Sequence, residues 1–319
     1  MTTPWLRSAS ASRRLTDLWL ALRWRAAPLL ALLVGLAGGL PAQAQDGASL
    51  RARHDSLRSQ LANNAFQRPL HLESAQTSGE LKGDVYAVIE QPFSTVGPAL
   101  QGADNWCELL ILHLNVKHCA TAGKAPKEVV SVAVGRKFDQ AIAEAYRVDF
   151  NYDLQASGTD YMKLQMTAEN GPLSTSNYRL AVEAVPLDDK RSFVHMSYAY
   201  AYGMAARLAM QGYLSTVGRD KVGFSVTGKA GDGKPVYIDG VRGVVERNTM
   251  RYYLAIEAYL GAVSAAPAEQ SDKRLRDWFN ATERYALQLH EVERDEYLAM
   301  KRRELQRQRA TAKGAGAVR

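Results

Sequence analysis

The sequence predicts an α+β fold in which an antiparallel run of strands is followed by one long helix. Three observations predict it. From Tyr146 to Leu154 apolar and polar residues alternate without a break, so Tyr146, Val148, Phe150, Tyr152 and Leu154 share one face of a strand. Three more alternating runs follow, at Met162–Met166, Tyr178–Ala184 and Phe193–Tyr202, separated only by short polar turns, which is the pattern of a meander. The spacing then becomes helical over Glu246–Val263, where Met250, Tyr253, Leu254, Glu257 and Leu260 recur on one face.

The elements before the meander read as follows. Residues 1–44 have the three parts of an export signal. Arg7, Arg13, Arg14, Arg23 and Arg25 stand against Asp17 alone, an uncharged stretch runs from Ala26 to Leu40, and Pro41-Ala42-Gln43-Ala44 ends in a small-x-small cleavage signature. The expected mature chain therefore starts near Ala44 and works in the periplasm. Residues 45–69 form a helical segment with Leu50, Leu57 and Leu61 on one side, stopped by Pro69. Leu70–Glu73 alternates like an edge strand, and Asp84–Glu90 is a β-rich run that reads as buried. Ser94 or Thr95 can cap a short helix to Leu100, and Asp104 or Asn105 a second one to about Leu114.

After the meander, Met204–Leu214 looks helical and Val222–Thr227 is strand-like. Gly228–Pro235 reads as a hairpin tip, because a phosphate cradle needs a helix directly after its glycines and Val236-Tyr237-Ile238 follows instead. Residues 264–309 form a charged helical extension with an apolar stripe through Leu275, Trp278, Phe279, Tyr285 and Leu289, and residues 310–319 a disordered basic tail.

The charge excludes one class of function. The chain holds 40 basic and 33 acidic residues, but the export segment and residues 301–319 carry the surplus. The body between them is slightly acidic, so it has no basic face for nucleic acid. Cys107 and Cys119 are the only cysteines. In an oxidising compartment such a pair is most simply a disulfide, which requires the chain to turn back between them. With His113 and His118 they give the spacing C-x5-H-x4-H-C, which fits no compact zinc site. A lone His195 lies on the strand face opposite Tyr198, and the sequence offers it no nucleophile or orienting carboxylate.

Gly83-Asp-Val-Tyr-Ala-Val-Ile-Glu-Gln-Pro-Phe93, then Val96–Leu100, then Asn105-Trp106-Cys107, and later Val244-Val-Glu-Arg-Asn-Thr-Met-Arg-Tyr-Tyr-Leu254, resemble the START-like (SRPBCC, helix-grip) superfamily in pattern and order. The resemblance covers about residues 70–263. The segment Ala199–Leu214 and the helices after Pro267 depart from its simplest members. It implies a curved antiparallel sheet gripping the long helix, with a cavity between them for a lipid, sterol, polyketide or other apolar molecule; to this helix-grip core the sequence adds extra N- and C-terminal helices, and no cofactor or metal is expected. The expected function is a periplasmic binding or carrier protein for an apolar, lipid-like ligand. Two alternatives stand beside it: a cyclase- or hydrolase-type enzyme on the same fold, and an envelope interaction module acting through the C-terminal helix. Tyr146, Tyr152, Tyr198, Tyr200 and Tyr202 are candidate cavity residues, since tyrosine offers an apolar ring and one polar tip. Arg251 and Glu257 on the long helix are candidates for a ligand head group. The basic residues Lys301, Arg302, Arg303, Arg307, Arg309 and Lys313 suggest peripheral contact with an anionic membrane.

Overall fold

Alternation along Tyr146–Tyr202 builds the centre of the molecule, with the long helix on one face of the sheet and the N-terminal helices on the other. The computed structural model describes residues 42–216 and 221–317. The expected export signal, as far as Pro41, lies outside the described residues. From Gln43 onward the chain forms one compact unit.

Two helices, α1 (Ala42–Ser56) and α2 (Arg58–Ala62), lead into strands β1 (Leu70–Gln76) and β2 (Glu80–Ile89). Helices α3 (Phe93–Leu100) and α4 (Ala103–Leu110) follow, then a hairpin of β3 (Val116–Lys124) and β4 (Lys127–Val134). The meander is β5 (Tyr146–Ser157), β6 (Met162–Asn170), β7 (Thr175–Pro186) and β8 (Ser192–Tyr202). Helix α5 (Met204–Ser215) and a small hairpin, β9 (Val226–Lys229) with β10 (Pro235–Tyr237), precede the long helix α6 (Gly240–Leu260). The chain ends in α7 (Pro267–Glu283), α8 (Ala286–Leu289) and α9 (Arg294–Ala317).

Eight strands form one antiparallel sheet in the order β1-β2-β8-β7-β6-β5-β4-β3. Its register puts Tyr152, Met166, Leu180, Tyr198 and Gly83 opposite one another in a single row on the inner face. Helix α6 lies across that face. At Gly83 the two approach so closely that a Cβ would stand 2.2 Å from Thr249 Oγ1, so only glycine fits there. The outer face holds a smaller core, in which Leu50, Leu57 and Leu61 of the N-terminal helices cover Tyr86, Val88 and Phe193. This is the antiparallel meander and long helix that the residue pattern predicts, in the sheet-around-helix arrangement that the resemblance implies.

Several boundaries differ from expectation. The hairpin β3–β4 was not among the expected strands, although Val129-Val-Ser-Val-Ala-Val134 is rich in β-branched residues. Helix α6 begins at Gly240, a turn and a half before Glu246. Helix α9 continues to Ala317 where a disordered tail from residue 310 was expected. The C-terminal stripe is not free. Leu275, Trp278, Phe279 and Leu289 are buried, and Trp278 Nε1 donates to the Arg251 carbonyl of α6 at 3.1 Å. An interaction module that presents this stripe to a partner loses its motive.

Helix α9 is locked to the α4–β3 connection by a charged cluster. Lys117, Lys301 and Glu304 are fully buried. Lys301 Nζ donates to Glu304 at 2.8 Å and to the His113 and Val116 carbonyls at 2.6 and 2.7 Å, and Lys117 Nζ donates to Glu304 at 3.0 Å. Burial outweighs the nearby carboxylate and pulls Lys301 down to about 8. The neighbouring basic residues are engaged as well: Arg302 with Asp272, and Arg303 and Arg307 with Asp139. One carboxylate serves two buried ammonium groups. Glu304→Gln is therefore expected to lower unfolding stability by about 3–5 kcal/mol. Lys301→Met, which leaves a matched pair, should cost clearly less in the same urea titration, and an equal or greater loss for Lys301→Met would contradict the assignment.

Candidate functional site

Strands β4 to β7 turn Val132, Val148, Met166 and Leu180 toward α6, and between sheet and helix lies a cavity of about 530 Å3. That volume is in the range of small-molecule sites. Leu173, 72 % exposed, and Tyr146, 44 % exposed, stand at the side where the cavity meets solvent.

One wall is aromatic. Tyr178, Tyr198, Tyr252 and His113 follow one another with ring centroids 6.2, 5.2 and 4.8 Å apart, the last pair stacked. Burial, with the other tyrosine oxygens nearby, pushes the Tyr198 hydroxyl well above its usual range, so it stays protonated.

The other end is polar. Arg251 Nη2 donates to Glu291 at 2.7 Å and to the Leu289 carbonyl at 3.3 Å. Glu291 also meets Lys137 at 2.7 Å and Lys221 at 3.7 Å. Burial works against its charge, but Arg251 and Lys137 outweigh burial and hold the carboxyl below its ordinary range. His113 is 3 % exposed, and its Nδ1 accepts the Asn115 backbone N–H at 3.1 Å. That bond places the ring proton on Nε2. Burial, then the positive charges of Arg251, Lys301, Lys137 and Lys117, hold His113 neutral, well below the usual histidine value. Among the described residues Nε2 has no hydrogen-bond partner.

Of the residues singled out in the sequence, Tyr146, Tyr198 and Arg251 line the cavity. Tyr152, Tyr200, Tyr202 and Glu257 lie outside its lining. The Tyr152 hydroxyl accepts the Gly102 N–H at 2.9 Å and holds the α3–α4 turn. Tyr200 stacks on Tyr178 at 5.3 Å. Tyr202 donates to the Thr77 carbonyl at 3.0 Å, and Glu257 is held by Arg68 and by the Tyr253 hydroxyl. Sequence reasoning did not select Tyr178, Tyr252, Lys137 or Glu291, and it weighed His113 only as a metal ligand. The alternating Tyr178 run was the one signal available for any of them. Cys107 and Cys119 are joined in a disulfide, with Cα atoms 5.2 Å apart, which ties α4 to β3 beside the cavity.

His195 does have carboxylates, but on the outer face of the sheet. Its Nδ1 meets Glu183 at 2.8 Å, its Nε2 meets Asp84 at 2.9 Å, and Tyr86 stacks on the ring at 4.2 Å. The cluster is roofed by the N-terminal helices and does not line the cavity.

No family model and no curated protein matches the chain. Solved structures do. Norcoclaurine synthase from Thalictrum flavum is 14 % identical at a TM-score of 0.33, over 45 % of this chain and 93 % of its own. The Zhui aromatase/cyclase from a Streptomyces species is 10 % identical at 0.32, over 67 % and 96 %. Human StAR-related lipid transfer protein 5 is 9 % identical at 0.30, over 55 % and 89 %. Likenesses at such scores carry no argument about ligand or chemistry; the α+β architecture rests on the eight-stranded antiparallel sheet and the long helix α6 themselves.

The His195 cluster predicts a pH window for stability. Burial opposes the imidazolium, but the hydrogen bonds with Asp84 and Glu183 outweigh it and raise the histidine above 6.5; both carboxyls are held below their usual values, again against burial. The histidine's contribution is fully present below the unfolded-state value and is lost as pH rises through the raised one; the carboxylates' is present above their unfolded values and is lost as pH falls through the lowered ones. The stability gap between wild type and His195→Gln is therefore expected to be wide at about pH 5.5 and to narrow by about pH 9. A gap unchanged across that range in urea titrations would contradict the charge assignment.

Proposed function

We propose that this protein is an exported binding protein that encloses an apolar, lipid-like ligand between the curved sheet and α6. The observation that carries the reading is the cavity itself: about 530 Å3, walled by β-branched, leucine, methionine and aromatic side chains, with Arg251, Lys137 and Glu291 joined in one ion-pair cluster of its lining. Such a site removes an apolar body from water while a few polar groups orient it. Action in the periplasm rests on the three-part export segment at residues 1–44, and the disulfide supports it, because such bonds persist in oxidising compartments.

Binding is favoured over the cyclase- or hydrolase-type alternative by the state of the ionisable groups at the cavity. Glu291 is held ionised by Arg251 and Lys137, so it is a weak base, and His113 Nδ1 is already committed to a backbone N–H. A contact between the C-terminal basic residues and an anionic membrane is not part of the proposal, because Lys301 is buried and Arg302, Arg303 and Arg307 hold Asp272 and Asp139.

The test is saturable binding of Nile red, a neutral dye whose fluorescence rises in apolar surroundings. Wild type is expected to bind it at one site, and Met166→Trp, which fills the cavity, to weaken binding by about tenfold or more while keeping the wild-type circular dichroism. No saturable signal from the folded wild type, or undiminished binding by folded Met166→Trp, would overturn the reading.

A further inference from the structure

We infer that the ligand presents an uncharged carbonyl oxygen to the hydroxyls of Tyr198 and Tyr252, which meet the cavity without a hydrogen-bond partner among the described residues. The inference deepens the proposed function and rests on it.

The first support is a pair of donors left open. Tyr198 comes from the sheet wall and Tyr252 from the α6 wall, and both line the cavity with ring centroids 5.2 Å apart. Tyr178 beside them spends its hydroxyl on Thr175 at 2.7 Å. The hydroxyls of Tyr198 and Tyr252 take no hydrogen bond among the described residues, although Tyr198 is only 7 % exposed. Neither oxygen is sealed inside the packing: His113 Nε2 is sealed and unpartnered, whereas these two keep open space on the cavity side. A hydroxyl withdrawn from bulk water is costly unless it is bonded, so two of them on facing walls of one cavity point to an oxygen supplied from outside the fold.

The second support is that the charges of the lining are already answered. Arg251 and Lys137 meet Glu291 at 2.7 Å each, and Arg247 donates to the Val222 carbonyl at 3.2 Å. Arg136 and Glu144 are exposed to water. A carboxylate or ammonium head would leave water for a cavity whose counter-charges are spent, and an ion buried without a partner is strongly disfavoured. An uncharged oxygen asks only for hydrogen bonds, which the two phenols can give.

The third support is the balance of donors and acceptors. Burial pushes both hydroxyls above the usual tyrosine range, so each keeps its proton and can donate. Asn248 lies one turn before Tyr252 on the same face of α6 and also lines the cavity, and its Oδ1 already accepts from Arg251 at 3.5 Å, which leaves its amide N–H groups as further donors. A carbonyl oxygen has two lone pairs and no proton, so it can accept from both tyrosines, whereas an alcohol adds another donor to a site already rich in them.

The test measures decan-2-one, decan-2-ol, decanoate and decylammonium as competitors of Nile red on wild type, Tyr198→Phe and Tyr252→Phe, each inhibition constant being corrected for the dye's own affinity. Phenylalanine keeps the ring and removes only the hydroxyl, and circular dichroism checks the fold of each variant. Wild type is expected to bind decan-2-one about tenfold or more tighter than either ion and about threefold tighter than decan-2-ol. Each folded variant should bind the ketone about three- to tenfold more weakly, with its affinity for the two ions unchanged. If an ion or the alcohol displaces the dye as well as the ketone does, the cavity reading stands and the carbonyl inference falls. If the ketone is preferred but keeps its wild-type affinity in both folded variants, the two tyrosines do not receive it and the inference falls as well. If none of the four displaces the dye, both readings fail.

Discussion

Helix α6 is buried nearly all round and yet carries Glu246, Arg247 and Arg251 among its buried residues, and the rest of the structure is arranged around that constraint. A charge taken from water must be paired or it unfolds the protein. Glu246 accepts from the Phe224 and Ser225 backbone N–H groups at 2.6 and 2.9 Å, and from the hydroxyls of Ser225 and Ser74. Arg251 meets Glu291 and the Leu289 carbonyl, both from the C-terminal extension. Glu257, at the far end of the helix, is held by Arg68 from the segment before β1. For Arg251 and Glu257 the counter-charges come from the segments on either side of the gripped region, while Glu246 is met by neutral donors from within it. Those segments are parts of the fold rather than appendages to it.

The same helix decides where the cavity lies. It touches the sheet at Gly83, where Thr249 leaves no room for a side chain, and it stands away from the sheet over β4 to β7. The space is bounded on the α4–β3 side by a covalent tether at Cys107–Cys119 and by the Lys117–Glu304–Lys301 cluster that clamps α9. Rigid walls of this kind let a binding site retain its volume without a ligand, because the backbone around it is held by interactions that do not involve the site.

Much of the architecture was legible because it depends on local pattern. Alternation assigned the inner face of β5 to β8, and the row Tyr152, Met166, Leu180 and Tyr198 lies where that alternation predicts. Alternation says which face a side chain takes, but not how far along the strand the cavity extends. Tyr200 and Tyr202 share the face of Tyr198 yet fall beyond the cavity, and Tyr152 is spent on the α3–α4 turn. The polar corner was illegible for another reason: its members come from distant segments. Glu291 reaches Arg251 across 40 residues, and His195 reaches Asp84 across 111. Such pairs follow from sheet register and helix docking, which composition and spacing do not encode.

The central claim is that this space holds an apolar molecule. Native mass spectrometry of the mature protein, purified under gentle conditions from the periplasm of a bacterial host, with organic extraction of whatever accompanies it, tests that claim most directly. The account predicts a one-to-one adduct that is lost on extraction, recovered in the organic phase, and absent from Met166→Trp. A bare protein mass from wild type, with Nile red unable to bind the same preparation, would contradict it.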